Sequence, residues 1–521
     1  MANVNAADLV TSGNLPSDRP ESMALMGTPV ESGTAPPKKI QESELKLYLR
    51  QSLTALGPIM GTIAAGMTSG YSAVLLPQLK PDDGNGTSFS NGSFDGVQDI
   101  VVESTEQESW IAAAAALTMA PGCWISGILM ERFGRKVSHL ITSPIFLAGW
   151  VTVGLASDMT WLIVGRLLCG LCVGLHGPLG PVYVAETSHP HLRGILLAGI
   201  SLAIAIGVLI SHMLGTWLHW RVAAFVCGVF PVLCFIFCIF SKESPTWLLG
   251  KNKPRQAETA WIYLRGEHAV AEFESLKNKK IYGPSVDQKV KANDESNWWK
   301  VITSATFLKP LIILNVFFLT TQFSGVNAVA FYCVKMLKDV AGPENAYSAT
   351  LVLDFIRVVF SVVACWLTRN YGRRILALVS GLGSSFALLA LSVCLFWDIG
   401  KPYLPVALLI LYTCVVSVGL VPLPWLLCGE LFSASVRGLG SGLSSGFAFM
   451  CFFVVVKTVP AMFEELLAQG TFSVYGIIAL LGTIFLYFYL PETKDKTLQE
   501  IEEAFTRKSK NINKEKKSGV V

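Results

Sequence analysis

Twelve apolar stretches, each long enough to cross a lipid bilayer, constrain this chain more than any other feature of its sequence. Of its 521 residues, 52% are hydrophobic and 15% are charged, and soluble domains rarely combine so much apolar surface with so little charge. We therefore predict an all-α membrane protein with twelve transmembrane helices. The stretches lie near residues 55–77, 109–130, 138–157, 160–183, 195–217, 222–240, 307–331, 347–367, 375–396, 404–428, 438–462 and 471–490.

The charges in the connections predict how the helices are oriented. The connection between the first two stretches is acidic, with Lys80 as its one basic residue, whereas the connections after the second and the sixth are basic. Basic connections favour the cytoplasmic side, which places both termini there as well. The acidic connection also carries two glycosylation sequons, at Asn85 and Asn91. We expect a multi-pass glycoprotein, with the plasma membrane as the default location.

Neither the cysteines nor the soluble segments indicate a disulfide framework, a metal site or a catalytic site. The chain has 12 cysteines, mostly within apolar stretches, and the Cys169/Cys172 pair lies inside a hydrophobic helix without a second pair to complete a site. No phosphate-binding glycine loop, metal-ligand cluster or catalytic triad is visible in the soluble segments. We predict no enzymatic activity, no cofactor, no metal and no nucleic-acid partner. We expect a monomer whose partners are a small solute and the bilayer.

A polar patch interrupts the seventh apolar stretch. Thr321, Gln322, Asn327 and Tyr332 need protein, water or a polar ligand as partners, because hydrocarbon cannot satisfy their polar groups. The pair Ser324-Gly325 weakens the helix at its midpoint, as membrane proteins tolerate where the backbone lines a cavity. These features predict a solute site near the bilayer midplane. The alternative is that the side chains bond to neighbouring helices.

The two halves of the chain repeat each other. Gly134-Arg135-Lys136 is echoed by Gly372-Arg373-Arg374 (372 − 134 = 238), and Glu186 is echoed by Glu430 (430 − 186 = 244). Near-constant offsets predict two six-helix bundles in parallel repeat. The expected organisation begins with a disordered cytoplasmic tail (1–50) and a first six-helix bundle (51–240). A cytoplasmic linker with short helices (241–306) then leads to a second six-helix bundle (307–490) and a second cytoplasmic tail (491–521).

The repeated charges fall at the predicted cytoplasmic ends of the spans. Glutamates and arginines at matched spacing in both halves favour an ion-pair network that latches the two bundles and opens when the cavity faces inward. The alternative is that the arginines are ordinary positive-inside residues. The predicted gate consists of Glu131, Arg135, Arg166, Glu186, Arg193, Glu243, Arg373, Arg374, Glu430, Arg437 and Glu492.

From about residue 50 to 505 the chain resembles a major facilitator superfamily sugar porter. Gly70-Tyr71-Ser72 and Val454-Val-Val-Lys457 are similar to the facilitative branch that holds insect trehalose transporters and animal glucose transporters. The resemblance implies transport of a sugar by alternating access. It is carried by Glu131-Arg-Phe-Gly-Arg-Lys136, Gly165-Arg166, Pro181-Val-Tyr-Val-Ala-Glu186, Arg193-Gly194, Glu243-Ser-Pro-Thr-Trp-Leu248, Gln322-Phe-Ser-Gly-Val-Asn327, Pro422-Leu-Pro-Trp425 with Glu430, and Pro491-Glu-Thr-Lys494.

The resemblance also implies the sugar contacts. It assigns them to Gln322, Asn327, Tyr332 and Trp425, with Thr321 where the family usually has a glutamine. Ser72 stands where proton-coupled relatives carry an aspartate, which favours facilitated diffusion of trehalose or a hexose such as glucose. The alternatives are a proton-coupled symporter that uses Asp354 or Glu186, or a sugar sensor that does not transport. Other departures from the family's usual amides are Ser201, Arg357 and Ala448.

Arg357 is a guanidinium inside a span, which is costly unless it is paired. Asp354 lies three residues earlier on the same helix face, so structural neutralisation is the first interpretation and contact with an acidic solute the second. His176 and His212 also fall within spans. We interpret them as packing histidines, with a proton relay as the alternative.

Overall fold

The computed structural model describes residues 44–79, 100–102, 104–281, 303–341, 346–400, 403–432, 437–494 and 496. Asn85 and Asn91 lie outside the described residues. The described helices are α1 (Glu44–Gln78), α2 (Thr105–Phe133), α3 (Arg135–Gly154), α4 (Met159–Thr187), α5 (Pro190–Trp217), α6 (Trp220–Phe240), α7 (Pro245–Gly250), α8 (Pro254–Arg265), α9 (Val270–Ile281), α10 (Ala305–Phe323), α11 (Val326–Ala341), α12 (Ala346–Asn370), α13 (Arg373–Phe396), α14 (Tyr403–Val418), α15 (Pro422–Glu430), α16 (Arg437–Glu465) and α17 (Leu467–Tyr489).

Twelve of the described helical segments are long and apolar enough to cross a membrane, as predicted. The seventh combines α10 with part of α11, and the tenth combines α14 with α15. Helices α1–α6 pack mainly on one another, and the spans from α10 to α17 form a second group. The first bundle is α1–α6 and the second bundle is α10–α17. We call the side of the α1–α2 connection the acidic-loop end, and the side of α7–α9 the linker end.

The first helix begins earlier than the sequence predicts. Residues 44–50, which we expected in a disordered tail, form the first turns of α1. The Gln51 side chain explains this, because its Nε2 donates to the backbone oxygen of Leu264 at 2.9 Å and its Oε1 accepts from the backbone N–H of His189 at 2.7 Å. These contacts dock the start of α1 on the linker and on the turn between α4 and α5.

The linker contains short helices around a small core of its own. Leu248, Leu249, Trp261 and Phe273 are buried together. Arg265 lies over the Trp261 ring at 3.9 Å and donates to the backbone oxygen of Ser188 at 3.1 Å. Burial lowers the pKa of the Arg265 guanidinium. The linker is therefore bound to the first bundle at the point where α4 turns into α5.

Glycines bring helices of the first bundle into backbone contact. A Cβ atom at Gly66 of α1 would overlap the backbone oxygen of Ile204 in α5, and one at Gly207 of α5 would overlap the backbone oxygen of Ile63 in α1. Gly170 of α4 meets the backbone oxygen of Ala115 in α2 in the same way. Small residues allow this approach, which favours dispersion contacts between transmembrane helices. In the helix pairs α1/α5 and α2/α4, contact between backbone atoms therefore sets the distance between the helices.

Candidate functional site

The predicted helix break is present in the second bundle. Helix α10 ends at Phe323 and α11 begins at Val326, with Gly325 between them at a φ of +85°. A Cβ atom at Gly325 would lie 2.7 Å from the Tyr475 ring, so both the backbone angle and the space favour glycine. The Tyr412 hydroxyl donates to the backbone oxygen of Ser324 at 2.8 Å and holds the break in place.

The two carboxamides next to the break contact each other. Asn327 Nδ2 donates to Gln322 Oε1. Gln322 is 5% exposed and Asn327 is partly buried, so this amide pair lies inside the protein at the level of the break. A paired amide still offers unused donor and acceptor capacity. The pair can therefore bind a polar solute through these remaining donors and acceptors. Because both side chains are neutral, binding breaks no ion pair.

Two of the other predicted contacts are bound to protein. The Thr321 hydroxyl donates to the backbone oxygen of Leu420 at 2.8 Å, and the Tyr332 hydroxyl donates to that of Val456 at 3.2 Å. Tyr332 is 2% exposed and has a non-helical backbone within α11, with φ −126° and ψ 20°. In this conformation both side chains stabilise the second bundle. For these two residues this agrees with the alternative interpretation of the polar patch, in which its side chains bond to neighbouring helices.

Trp425 is the exposed member of the predicted set. It lies in α15, is 41% exposed, and packs edge-on against Phe318 at a centroid distance of 4.9 Å. Phe318 is one helical turn before Gln322 on α10, so the indole lies close to the level of the amide pair. An exposed indole face next to amides is a suitable surface for the C–H face of a sugar ring.

Arg166 does not lie with the predicted gate. It is close to the start of α4, while Glu186 is near its end, so 20 residues (186 − 166) separate them, or about 30 Å along the helix. Its guanidinium is 0% exposed and donates to the backbone oxygen of Thr68 at 3.1 Å and to the Ser72 hydroxyl. Span four begins at the acidic-loop end and runs towards the linker end, so Arg166 and the predicted gate lie at opposite ends of the helix.

A buried histidine–aspartate contact joins the two bundles near the acidic-loop end. His212 Nδ1 of α5 donates to Asp354 Oδ2 of α12, and each side chain is 1% exposed. Arg357 Nη1 lies 3.4 Å from Asp354 Oδ1, which is the neutralisation that the sequence predicts. The aspartate thus binds an arginine on its own helix and a histidine on the other bundle. We call these three residues the cross-bundle triad.

Two further hydrogen bonds cross between the bundles near this end. Lys457 Nζ of α16 donates to the Ser109 hydroxyl of α2 at 2.6 Å and lies 4.2 Å over the Trp110 ring. The Thr105 hydroxyl donates to Glu464 at 2.5 Å. Together with the cross-bundle triad, these contacts close the acidic-loop end between α2 and α16 and between α5 and α12.

The repeated charges meet at the linker end in the same arrangement in both bundles. Arg135 Nη2 lies 2.9 Å from Glu186 Oε1 in the first bundle, and Arg373 Nη2 lies 3.2 Å from Glu430 Oε1 in the second. A second glutamate accepts from backbone N–H groups at the start of the arginine's helix: Glu243 accepts from Arg135 at 2.9 Å, and Glu492 accepts from Arg373 at 2.9 Å. Each carboxylate thus binds the positive end of a helix dipole.

The two halves match in further detail. The Ser244 hydroxyl donates to Glu186, and the Thr493 hydroxyl donates to Glu430 at 2.5 Å. Burial would raise the pKa of the Glu492 carboxyl, but the backbone N–H groups that donate to it, foremost that of Lys494, hold this pKa below its ordinary value. The carboxylate is therefore the stable form of this helix cap.

These ion pairs lie within the bundles and do not bridge them, in contrast to the latch that the repeated charges predict. Arg135–Glu186 and Arg373–Glu430 each join helices of one bundle, because the arginine begins one helix and the glutamate lies near the end of another in the same half. Elsewhere in the predicted gate, Glu131 pairs with Lys251 on the surface at 3.2 Å, Arg374 donates to the backbone oxygen of Tyr487, and Arg193 lies near the start of α5. The side chain of Arg437 lies outside the described atoms, so a latch between the bundles stays a prediction.

Replacing Glu243 by alanine is expected to destabilise the first bundle. The substitution leaves the backbone N–H groups of Arg135 and Lys136 without their acceptor, at a cost of about 1–3 kcal/mol. Thermal unfolding of the detergent-solubilised protein measures the loss. Glu131→Ala is the matched control, since that side chain is 73% exposed and pairs only at the surface. Equal melting temperatures for the two variants would contradict the capping role of Glu243.

Comparison with known proteins identifies related chains along nearly the whole length. The family of sugar (and other) transporters matches residues 54–505. A facilitated trehalose transporter, Tret1 of Bombyx mori, is 28% identical over 500 residues, which cover 94% of this chain and 92% of that protein. Tret1 of Drosophila grimshawi is 31% identical over 458 residues, covering 87% of this chain and 47% of that protein. The chain thus spans about half the length of the second relative.

The helix arrangement also matches solved structures. The inward open conformation of the xylose transporter XylE from E. coli superimposes with a TM-score of 0.69 at 21% sequence identity, covering 88% of this chain and 99% of that protein. XylE bound to 6-bromo-6-deoxy-D-glucose gives a TM-score of 0.69 at 20% identity. These similarities show that the chain has the major facilitator fold with two six-helix bundles.

Proposed function

Because the chain belongs to the sugar (and other) transporter family, we propose that it carries a neutral sugar across the membrane by facilitated diffusion, with trehalose as the first candidate and a hexose such as glucose as the second. The Tret1 relatives are named facilitated trehalose transporters. They support the choice of trehalose for the corresponding site in this chain.

The amide pair at the helix break carries this proposal. Gln322 and Asn327 lie on either side of a glycine-dependent interruption in the middle of a span. The exposed indole of Trp425 packs on Phe318, one turn before Gln322. Amides bond sugar hydroxyls, and aromatic faces stack on sugar C–H groups. We assign substrate binding to the two amides and the indole. Thr321 and Tyr332 support the site through bonds to backbone oxygens in the conformation described here.

The surroundings of Arg166 support facilitation over proton coupling. The guanidinium is bound by the Ser72 hydroxyl and by the backbone oxygens of Thr68 and Ile111. A serine hydroxyl and backbone carbonyl oxygens do not ionise near neutral pH, so none of these three contacts gives the arginine a carboxylate partner that could carry a proton. The buried contact between His212 and Asp354 places an imidazole and a carboxylate between the bundles, which keeps proton-coupled transport as the second candidate.

Transport requires the closed acidic-loop end to open. The three cross-bundle contacts there would break as the bundles separate, while the ion pairs within each bundle at the linker end would move with their own halves. This distribution supports alternating access by two bundles that rock about the solute. Facilitated diffusion then needs no energy source beyond the sugar gradient.

Uptake of labelled sugar tests the function. Cells that express the protein are expected to take up labelled trehalose or glucose saturably, without concentrating it, and equally at external pH of about 5.5 and about 7.5. Accumulation above the external concentration, stimulated at the lower pH, would support the proton-coupled candidate and contradict facilitation. No uptake of either sugar by protein present at the surface would contradict both candidates.

We also propose the orientation, with the acidic-loop end outside, the linker end and both termini in the cytoplasm, and the plasma membrane as the location. The distribution of basic residues supports it. Asn85→Gln together with Asn91→Gln is expected to increase electrophoretic mobility by removing N-linked glycans. Endoglycosidase treatment of the unchanged protein is the control and should give the same mobility. Identical mobility of treated and untreated protein would remove this support for the orientation.

A further inference from the structure

A group of histidine and cysteine side chains is buried inside the first bundle, apart from the proposed sugar contacts. His139 of α3, His176 of α4 and Cys234 of α6 each place a possible ligand atom within 4.8 Å of the others. Cys238 lies one turn after Cys234 on α6. All four side chains are buried. Two imidazoles and one thiol thus converge from three helices, with a second thiol on the adjacent turn of α6.

His139 distinguishes this group from ordinary packing. The residue is 0% exposed, and among the residues that the structure describes neither buried ring nitrogen has a hydrogen bond of ordinary geometry, although Cys234 Sγ lies within 4.8 Å. Its ring contacts are edge-on, with centroids 5.2 Å from His176 and 5.7 Å from Tyr183. Buried polar groups are normally satisfied. The unsatisfied imidazole therefore points to a partner that the protein side chains do not supply.

His176 is oriented in the way that metal-binding histidines are. Its Nδ1 lies 3.1 Å from the backbone oxygen of Cys172, and its Nε2 lies 3.9 Å from Cys234 Sγ. Donation from Nδ1 to that oxygen leaves the Nε2 lone pair facing the thiol. Metal-bound imidazoles are commonly held by such a bond from the other ring nitrogen.

Glycines of α1 leave room beside these atoms. A Cβ atom at Gly61 would overlap the His176 ring and lie 3.2 Å from Cys234 Sγ, and one at Gly57 would lie 2.5 Å from Cys238 Sγ. Helix α1 therefore contributes space next to the group instead of a ligand. The group lies towards the linker end, because His139 is one turn from the start of α3 and Cys238 is close to the end of α6.

We propose that His139, His176, Cys234 and Cys238 bind a zinc ion that ties α3, α4 and α6 together. Two imidazoles and two thiolates form a common tetrahedral zinc set, and soft thiolates disfavour magnesium and calcium. Zinc bonds of about 2.0–2.3 Å place ligand atoms about 3.3–3.8 Å apart. The ligand atoms of His139, His176 and Cys234, which lie within 4.8 Å of one another, therefore need to approach by roughly 1 Å, and Cys238 completes the set from the adjacent turn of α6. Two thiolates balance the charge of the ion, which suits an apolar interior.

Metal analysis of the full-length protein tests the site. The protein is purified under reducing conditions after expression with supplemented zinc, and we expect about one zinc per chain by elemental analysis. Exchange with cobalt should give the visible absorption of a tetrahedral ion together with a thiolate charge-transfer band. Protein that elutes as a single folded peak with neither zinc nor the cobalt signal would overturn the proposal. Stoichiometric copper in place of zinc would overturn the choice of metal.

Variants locate the ion. Cys234→Ser together with His139→Gln should reduce zinc to well under about a tenth of the wild-type content, because the substitutions keep side-chain volume and remove two ligands. Cys227→Ser is the matched control, since Cys227 is a buried thiol on the same helix outside the group, and it should keep full zinc content. Equal zinc in the double variant and the control would show that the ion binds elsewhere. If the double variant does not fold, the cobalt spectrum of the wild-type protein decides, because it reports thiolate ligation directly.

Discussion

Replacing Gln322 and Asn327 together by alanine is expected to lower sugar uptake about a hundred-fold, which corresponds to roughly two lost hydrogen bonds of about 1.5 kcal/mol each. The reason is geometric. The two amides bond each other beside the helix break, so one substitution leaves the other amide available to the sugar, whereas the double substitution removes both. Gly325 stays in place, and the break itself should persist. Initial rates of labelled trehalose uptake, normalised to protein at the surface, measure the effect.

A matched control separates binding from stability. Ser417→Ala removes a buried hydroxyl of the second bundle that, among the described residues, donates to the backbone oxygen of Thr413 on its own helix at 2.7 Å, and uptake should change less than about two-fold. The single variants should each keep more activity than the double variant. Undiminished uptake by the double variant would show that the sugar binds elsewhere.

Replacing His212 by alanine is expected to open the acidic-loop end. The substitution removes the bond across the bundles and leaves the Asp354–Arg357 pair in place, so the closed state should lose about 2 kcal/mol, or roughly thirty-fold in its population ratio. Thr350→Cys provides the probe, because Thr350 lies one turn before Asp354 and is 1% exposed in the closed arrangement. Alkylation of that cysteine by a membrane-impermeant maleimide should become faster in the His212→Ala background.

The control for this result is another histidine of the first bundle near the same end. His219 accepts from the backbone N–H of Arg221 at the start of α6, so His219→Ala should leave alkylation close to the wild-type rate. Asp354→Asn gives a second comparison. It keeps an acceptor for His212 but removes the charge that neutralises Arg357, and it should destabilise the protein as well as open it. Unchanged alkylation in His212→Ala would show that the contact does not hold the bundles closed.

The sequence predicts the twelve spans because the bilayer requires every backbone polar group to be satisfied inside a helix, and apolar length alone identifies such helices. The interruption at Ser324-Gly325 is also predictable, since Ser and Gly weaken a helix and the neighbouring amides need polar partners; the positive φ of Gly325 agrees with it. Both inferences use local properties of a short segment. They need no knowledge of which helices are neighbours.

Pairing across the fold was harder to predict. Arg357 was matched to Asp354 from their spacing on one helix, but the bond from His212 joins residues 142 positions apart and depends on how the two bundles meet. Grouping Arg166 with the gate follows from its motif alone and neglects the alternation of the spans, which places the start of span four at the acidic-loop end. The zinc ligands are scattered in the same way: His139, His176 and Cys234 come from three helices, and their spacing resembles no metal motif.

The backbone contacts of the glycines have a mechanical consequence. The backbone oxygen of Ile204 lies against Gly66, and that of Ile63 lies against Gly207. At these points the backbones of α1 and α5 form the joint between the helices, without a flexible side chain that could adapt to a change in spacing. Such a joint is stiff, because a peptide group cannot change rotamer to absorb a displacement. Motion during a transport cycle should therefore bypass these joints and concentrate in softer parts of the chain, such as the irregular turn at Gly325. A bulkier residue at Gly66 or Gly207 would push α1 and α5 apart and so change the packing of the first bundle, without touching the proposed sugar contacts.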